Sequence, residues 1–134
     1  MMDYKSWIRQ IDENFTKDPS WKMEVYRISL YLSDLCWVDT SLILEKRIFS
    51  LADQLYRSVG SISANIIEGY SRFSNKEKAR FYEIALGSAR EAKDWYFKSR
   101  HILGEEVYQN RIRILTSIIK LLNVMIVDRR KVAK

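Results

Sequence analysis

Residues 57–69 read RSVGSISANIIEG, and residues 85–91 read ALGSARE. Around the first stretch Leu55, Val59, Ile62 and Ile66 recur at spacings of four and three. That is the stripe a helix buries. Polar side chains recur with the same period on the other side: Arg57, Ser61 and Asn65 stand four apart, and Glu68 follows Asn65 by three. Such positions stack on one helical face. A helix with both stripes either turns the polar one outward, as a site, or joins it to another helix by hydrogen bonds, as a seam.

The helical period extends on both sides of this stretch. A second long helix is expected over residues 44–70, opening its apolar stripe at Ile48, Leu51 and Leu55, with Gly69 placed to close it in a left-handed conformation. Ahead of it Asp39, Thr40 and Ser41 read as a loop. The first long helix then covers residues 20–37, with Val25, Ile28, Leu32 and Leu35 inward and Asp18-Pro19 as its cap and first turn. Residues 1–15 form a short amphipathic arm carrying Trp7, Ile8, Ile11 and Phe15 on one side.

Beyond Gly69, Ser74 and Glu77 make a capping box for a third helix that runs to Leu103 and stops at Gly104. Its inward face reads Phe81, Ile84, Ser88, Ala92 and Trp95. Gly87 inside that helix suggests a close neighbour, expected at residues 60–64 of the second helix. The fourth helix starts between Glu105 and Asn110 and carries two apolar rows: Ile112, Leu115, Ile119, Leu122, Ile126, and Ile114, Ile118, Leu121, Met125. The charged end at residues 128–134 is expected to fray. The expected class is all-α: an up-down-up-down antiparallel four-helix bundle over residues 20–130, with an N-terminal extension at 1–19 and a frayed tail at 131–134. There is no internal repeat or low-complexity tract.

Composition agrees with a helical domain. The chain has 134 residues, 47% of them apolar, with only four glycines and one proline, too few for the turns of an all-β fold. No apolar run approaches the roughly 20 residues that span a bilayer, and no signal-peptide pattern opens the chain, so a cytoplasmic location is expected. The lone Cys36 lies in an apolar helical context and reads as a buried free thiol. Net charge is +6, divided unevenly: residues 1–72 hold −1 and residues 73–134 hold +7. Such a field attracts polyanions.

Catalytic chemistry finds little support. Carboxylate-bridged metal bundles need Glu-x-x-His pairs from two helices, and this chain has one histidine, His101, with Lys98 three residues before it. Helical ribonucleases of one bundle class place an arginine four to six residues ahead of a catalytic histidine; here those places hold Trp95, Tyr96 and Phe97, with Asp94 before them, and no arginine. There is no glycine-rich phosphate loop. No catalytic residue, cofactor or metal ligand is therefore assigned. Arg57, Ser61, Asn65, Glu68, Ser88 and Glu91 are read as a polar seam that sets the register of the second helix against the third.

The residues of that seam also carry a resemblance. Leu51, Gln54, Leu55, Arg57, Ser58, Ser61, Ile62, Asn65, Ile66, Glu68 and Gly69, continued by Arg72, Phe81, Ile84–Ser88 and Glu91, resemble the central signature of the four helix bundle protein family, also called the 23S rRNA intervening-sequence protein family. The resemblance covers about residues 51–91 closely and implies a four-helix bundle assembling into a ring, typically a homopentamer. It also implies kinship with the accessory variability protein of diversity-generating retroelements, a basic barrel that engages nucleic acid and a reverse transcriptase.

Two functions follow as expectations. The first is a ring-forming protein without enzymatic activity that binds RNA or DNA through Arg90, Lys93 and Arg100 of the third helix and Arg111, Arg113 and Lys120 of the fourth. It would serve as an accessory to a reverse transcriptase or an rRNA-associated element. The second is a protein-interaction scaffold indifferent to nucleic acid, assembled through the double rows of the fourth helix and the Trp7, Ile11 and Phe15 arm.

Overall fold

The computed structural model describes residues 2–133. The chain opens with three short capped turns: α1 (Tyr4–Ile8), α2 (Glu13–Thr16) and a single 3-10 turn (Pro19–Lys22). Each follows an aspartate whose carboxylate accepts a backbone N–H two or three residues on: Asp3 from Ser6 at 2.8 Å, Asp12 from Asn14 at 2.7 Å and Asp18 from Ser20 at 2.9 Å. Four long helices follow: α3 (Glu24–Glu45), α4 (Phe49–Tyr70), α5 (Asn75–Leu103) and α6 (Glu105–Ala133). Consecutive long helices are joined by very short connections and pack side by side, so they run antiparallel. α3 closes the bundle against α6 and also reaches α5. This is the expected all-helical bundle.

Three boundaries differ from expectation, each for a physical reason. The long helix behind Pro19 begins only at Glu24, because the Asp18 cap closes a lone 3-10 turn instead. Asp39, Thr40 and Ser41 are not a loop but lie inside α3. The Thr40 and Ser41 hydroxyls bond back to the carbonyls of Cys36 and Trp37 at 2.8 and 2.7 Å, a pattern helices accommodate. The actual break is at Arg47, whose φ of 61° puts it in the left-handed region. At the other end, the tail expected to fray is helical through Ala133.

The inward stripe of α5 is displaced by one position from the expected one. Ala79, Tyr82, Ala85, Ala89, Ala92, Tyr96, Ser99 and Leu103 are buried, whereas Ile84 is exposed. A row of alanines brings α5 close to its neighbours, and the two tyrosines fill the wider spaces. On α6 the fully enclosed positions are Arg111, Leu115, Ile118 and Leu122, again spaced four, three, four. The remaining apolar residues of both predicted rows are mostly half-buried against the same core, so the chain itself occupies the two faces once reserved for a partner.

Gly69 is buried near the end of α4 with ordinary helical backbone, so it serves close approach and not the left-handed closure expected of it. A Cβ there would stand 2.8 Å from Tyr82 Cε1 and 3.0 Å from Phe81 Cβ. Gly69→Ala is therefore expected to cost about 1–3 kcal/mol of overpacking strain, read as a lower urea midpoint at unchanged slope. Gly87 and Gly60 have open space around their missing Cβ atoms, so the close helix contact expected between them does not exist within the chain.

Candidate nucleic-acid interface

The polar seam exists but is narrower than the sequence suggested. Ser61 Oγ and Ser88 Oγ meet at 2.9 Å across α4 and α5, and Asn65 Nδ2 donates to the Ser61 carbonyl at 2.8 Å and to its hydroxyl at 2.9 Å. Glu68 pairs instead with Arg72 just beyond the end of its own helix, and Glu91 accepts from Trp95 Nε1 at 3.0 Å. Arg57 is exposed and reaches no partner among the described residues. Two of the six predicted seam residues, Ser61 and Ser88, thus join the helices, Asn65 holds Ser61 from within α4, and the other three face outward.

The stronger polar junction was hidden in the predicted loop. Asp39 lies 1% exposed in α3. Its Oδ2 accepts from Tyr96 OH of α5 at 2.7 Å and from Arg111 Nε of α6 at 2.7 Å, while Oδ1 accepts from Arg111 Nη2 at 2.9 Å. Burial pushes the Tyr96 hydroxyl well above its usual range. For Arg111 burial acts the other way, but its bonds to Asp39 and the Asp39 charge outweigh that, and the guanidinium is held above its ordinary value. Beneath them Cys36 is fully enclosed, and burial pushes its thiol up to about 12, so it stays protonated and poorly nucleophilic at neutral pH. Arg111, counted above among the phosphate contacts, is thereby removed from the interface: its charge is enclosed and spent on Asp39.

The other predicted contacts lie on the outer sides of α5 and α6. Arg90, Arg113 and Lys120 are exposed and Lys93 is half-buried. None of the four has a carboxylate within ion-pair distance among the described residues, although Arg72, Arg80, Lys98 and Arg130 are all paired. Arg100 lies over the Phe97 ring at 3.7 Å and donates to the Phe97 carbonyl at 2.8 Å. Phe97, half exposed, meets Tyr108 of α6 edge-on with 6.1 Å between centroids. The α5 strip therefore interleaves cations with an accessible aromatic ring, and Tyr108 ties it to α6. Sequence reading found the cations and missed Phe97, although it stands four residues beyond Lys93 and three before Arg100.

The N-terminal arm folds back on its own chain. Trp7 is buried against Tyr31 and Leu35, its indole N–H donates to Asp34 Oδ2 at 2.7 Å, and Tyr31 OH donates to the Met2 carbonyl at 3.0 Å. It is therefore not the free assembly arm considered above. The largest group of uncovered apolar side chains lies instead at the α3–α4 end. Trp37, Leu44, Phe49 and Tyr56 line a cleft of about 290 Å³ whose only charged wall residue is Asp53. Trp37 and Tyr56 meet there edge to face at 5.9 Å. Val38, Leu42 and Ile48 add to the exposed apolar area nearby. Among the described residues no group of histidine, cysteine, aspartate or glutamate could hold a metal ion, and no helix is long and apolar enough to cross a membrane.

Comparison with known proteins agrees with this architecture. The family model described as 23S rRNA-intervening sequence protein matches residues 21–124, the whole bundle up to the last turns of α6. The chain belongs to that family. It is also similar to a crystal structure from Bacteroides thetaiotaomicron, a protein of unknown function from the S23 ribosomal protein family. That match has a TM-score of 0.72 and 28% identity over 76% of this chain and 97% of the other. No curated protein matches. The family match begins at Trp21, inside the 3-10 turn, so α1 and α2 precede the part this chain shares with it.

Proposed function

We propose that the chain is a ring-forming protein without enzymatic activity that binds RNA or DNA through the outer faces of α5 and α6, as an accessory to an rRNA-associated element or a reverse transcriptase. The observation that carries this reading is the set of cations Arg90, Lys93, Arg113 and Lys120 on those faces, none of which has a carboxylate within ion-pair distance among the described residues. Contact of this kind is made with phosphates, selects sequence weakly and falls steeply with salt. Assembly is assigned to the α3–α4 cleft, since the apolar rows of α6 are used within the chain. A ring closes by a heterologous contact, in which one patch of each copy meets a different patch of the next, and the cleft supplies the concave half.

The same cleft also favours the scaffold reading, in which assembly is the whole function. Light-scattering mass with and without a structured RNA across a salt series separates the two. Nucleic-acid binding predicts a heavier complex at about 50 mM salt that is lost by about 300 mM. Arg113→Glu with Lys120→Glu is expected to weaken it at least ten-fold without changing the protein's own mass. An oligomer that ignores RNA at low salt leaves the scaffold.

A further inference from the structure

The turn between α4 and α5 carries a second aromatic and basic cluster that the reading above does not use. Phe73 at its tip is fully exposed and stands clear of the other described residues. Beside it Phe81 is held between two guanidiniums, Arg72 at 4.8 Å and Arg80 at 4.5 Å from the ring centroid. Lys78 lies over the Tyr70 ring at 5.4 Å and donates to the Tyr70 carbonyl at 2.7 Å. From α6, Arg129 reaches the turn and donates to Asn75 Oδ1 at 3.0 Å.

Lys78 and Arg129 meet at this end without a carboxylate between them. Glu24 and Asp128 line the same recess, but neither comes within ion-pair distance of either cation. Burial, and then the nearby Arg129 charge, push the Lys78 ammonium below its usual range. Two like charges so close, each satisfied only by a neutral oxygen, favour an anion from outside the chain. Lys76, exposed on the first turn of α5, adds a third cation free of ion pairs.

Resting on the nucleic-acid reading above, we infer that this turn is where single-stranded RNA or DNA is held, with a base stacked on Phe73 and the adjoining phosphates on Lys76, Lys78 and Arg129. An unstacked base offers a flat face to an uncovered ring, and flanking cations set the backbone beside it. In a duplex both faces of each base are already occupied, so the site distinguishes single strands from double. A lone exposed phenylalanine would carry no such argument. It is the ring together with cations that lack carboxylate partners that fits a polyanion bearing aromatic groups.

The test uses an oligonucleotide of about a dozen residues containing 2-aminopurine, whose fluorescence falls on stacking, with a duplex of the same sequence as control. Phe73→Ala leaves the fold untouched because the ring stands clear of the other described residues. It is expected to weaken single-strand binding about 5- to 100-fold and abolish the fluorescence change, with helicity and oligomer mass unchanged. Lys76→Glu with Arg129→Glu should lower the affinity further and flatten the salt dependence. Unaltered binding by Phe73→Ala, while Arg113→Glu with Lys120→Glu abolishes it, overturns this site and leaves the broader reading standing. Loss of oligomer mass in Phe73→Ala overturns it too, making the turn a contact between copies. If the unaltered protein binds no oligonucleotide at about 50 mM salt, the nucleic-acid reading falls and this inference with it.

Discussion

Arg111→Leu is expected to lower folding stability by about 3–5 kcal/mol, because it leaves the Asp39 carboxylate enclosed with only the Tyr96 hydroxyl as donor. Urea denaturation followed by far-ultraviolet circular dichroism measures this directly. Removing the whole cluster, as Asp39→Leu, Tyr96→Phe and Arg111→Leu together, is expected to restore most of the loss, since buried ion pairs return little beyond their own desolvation. If the single and triple variants are equally unstable, the cluster contributes net stability of its own. The three residues come from three different helices, so their coupling is readable by double-mutant cycles.

The second large effect concerns assembly. Trp37→Glu combined with Phe49→Glu is expected to reduce the light-scattering mass to the 16.0 kDa of one chain. Both side chains are more than half exposed, at 63% and 59%, so the bundle itself should keep its helicity and its urea midpoint. Two carboxylates buried in an apolar contact without partners would each cost several kcal/mol, enough to dissolve an interface of ordinary size. An oligomer that keeps its mass in this variant moves the assembly surface away from the α3–α4 end. A partner glutamate substitution at Val124, exposed on α6 far along the chain, serves as the control that changes surface charge without touching the cleft.

Much of this architecture was legible in the sequence because local and tertiary signals agreed. Ser74, Glu77 and Gly104 marked the ends of α5 correctly, and the stripe Leu55, Val59, Ile62, Ile66 is buried as spaced. Reading failed where tertiary structure overrides local preference. Asp39, Thr40 and Ser41 favour turns, yet Asp39 and Thr40 continue the inward row of Leu32, Cys36 and Ile43, with Asp39 at a core position. Arg111 likewise begins the row completed by Leu115, Ile118 and Leu122. Two opposite charges, each at an inward position of a different helix, were the available signal for the buried pair. Its absence from the reading is why Arg111 was counted as a phosphate contact. The aromatic members of both basic clusters, Phe97 and Phe73, were legible only in part. Exposure of a phenylalanine depends on which side of a helix or turn the neighbours cover, and spacing alone does not report that.

The hairpin of α5 and α6 turns through one residue, Gly104, with 29 residues of helix on either side. Because the turn is a single residue, the two helices can zip together outward from Gly104, and little loop-closure entropy opposes the first contacts. The Asp39–Arg111 pair bridges 72 residues, so closing it costs more loop entropy and requires α3 to be packed against α6. In kinetic terms the hairpin is the template and the buried pair is the latch. A latch that needs both charges in register admits α3 in one alignment, since any other would leave Asp39 buried without its cation.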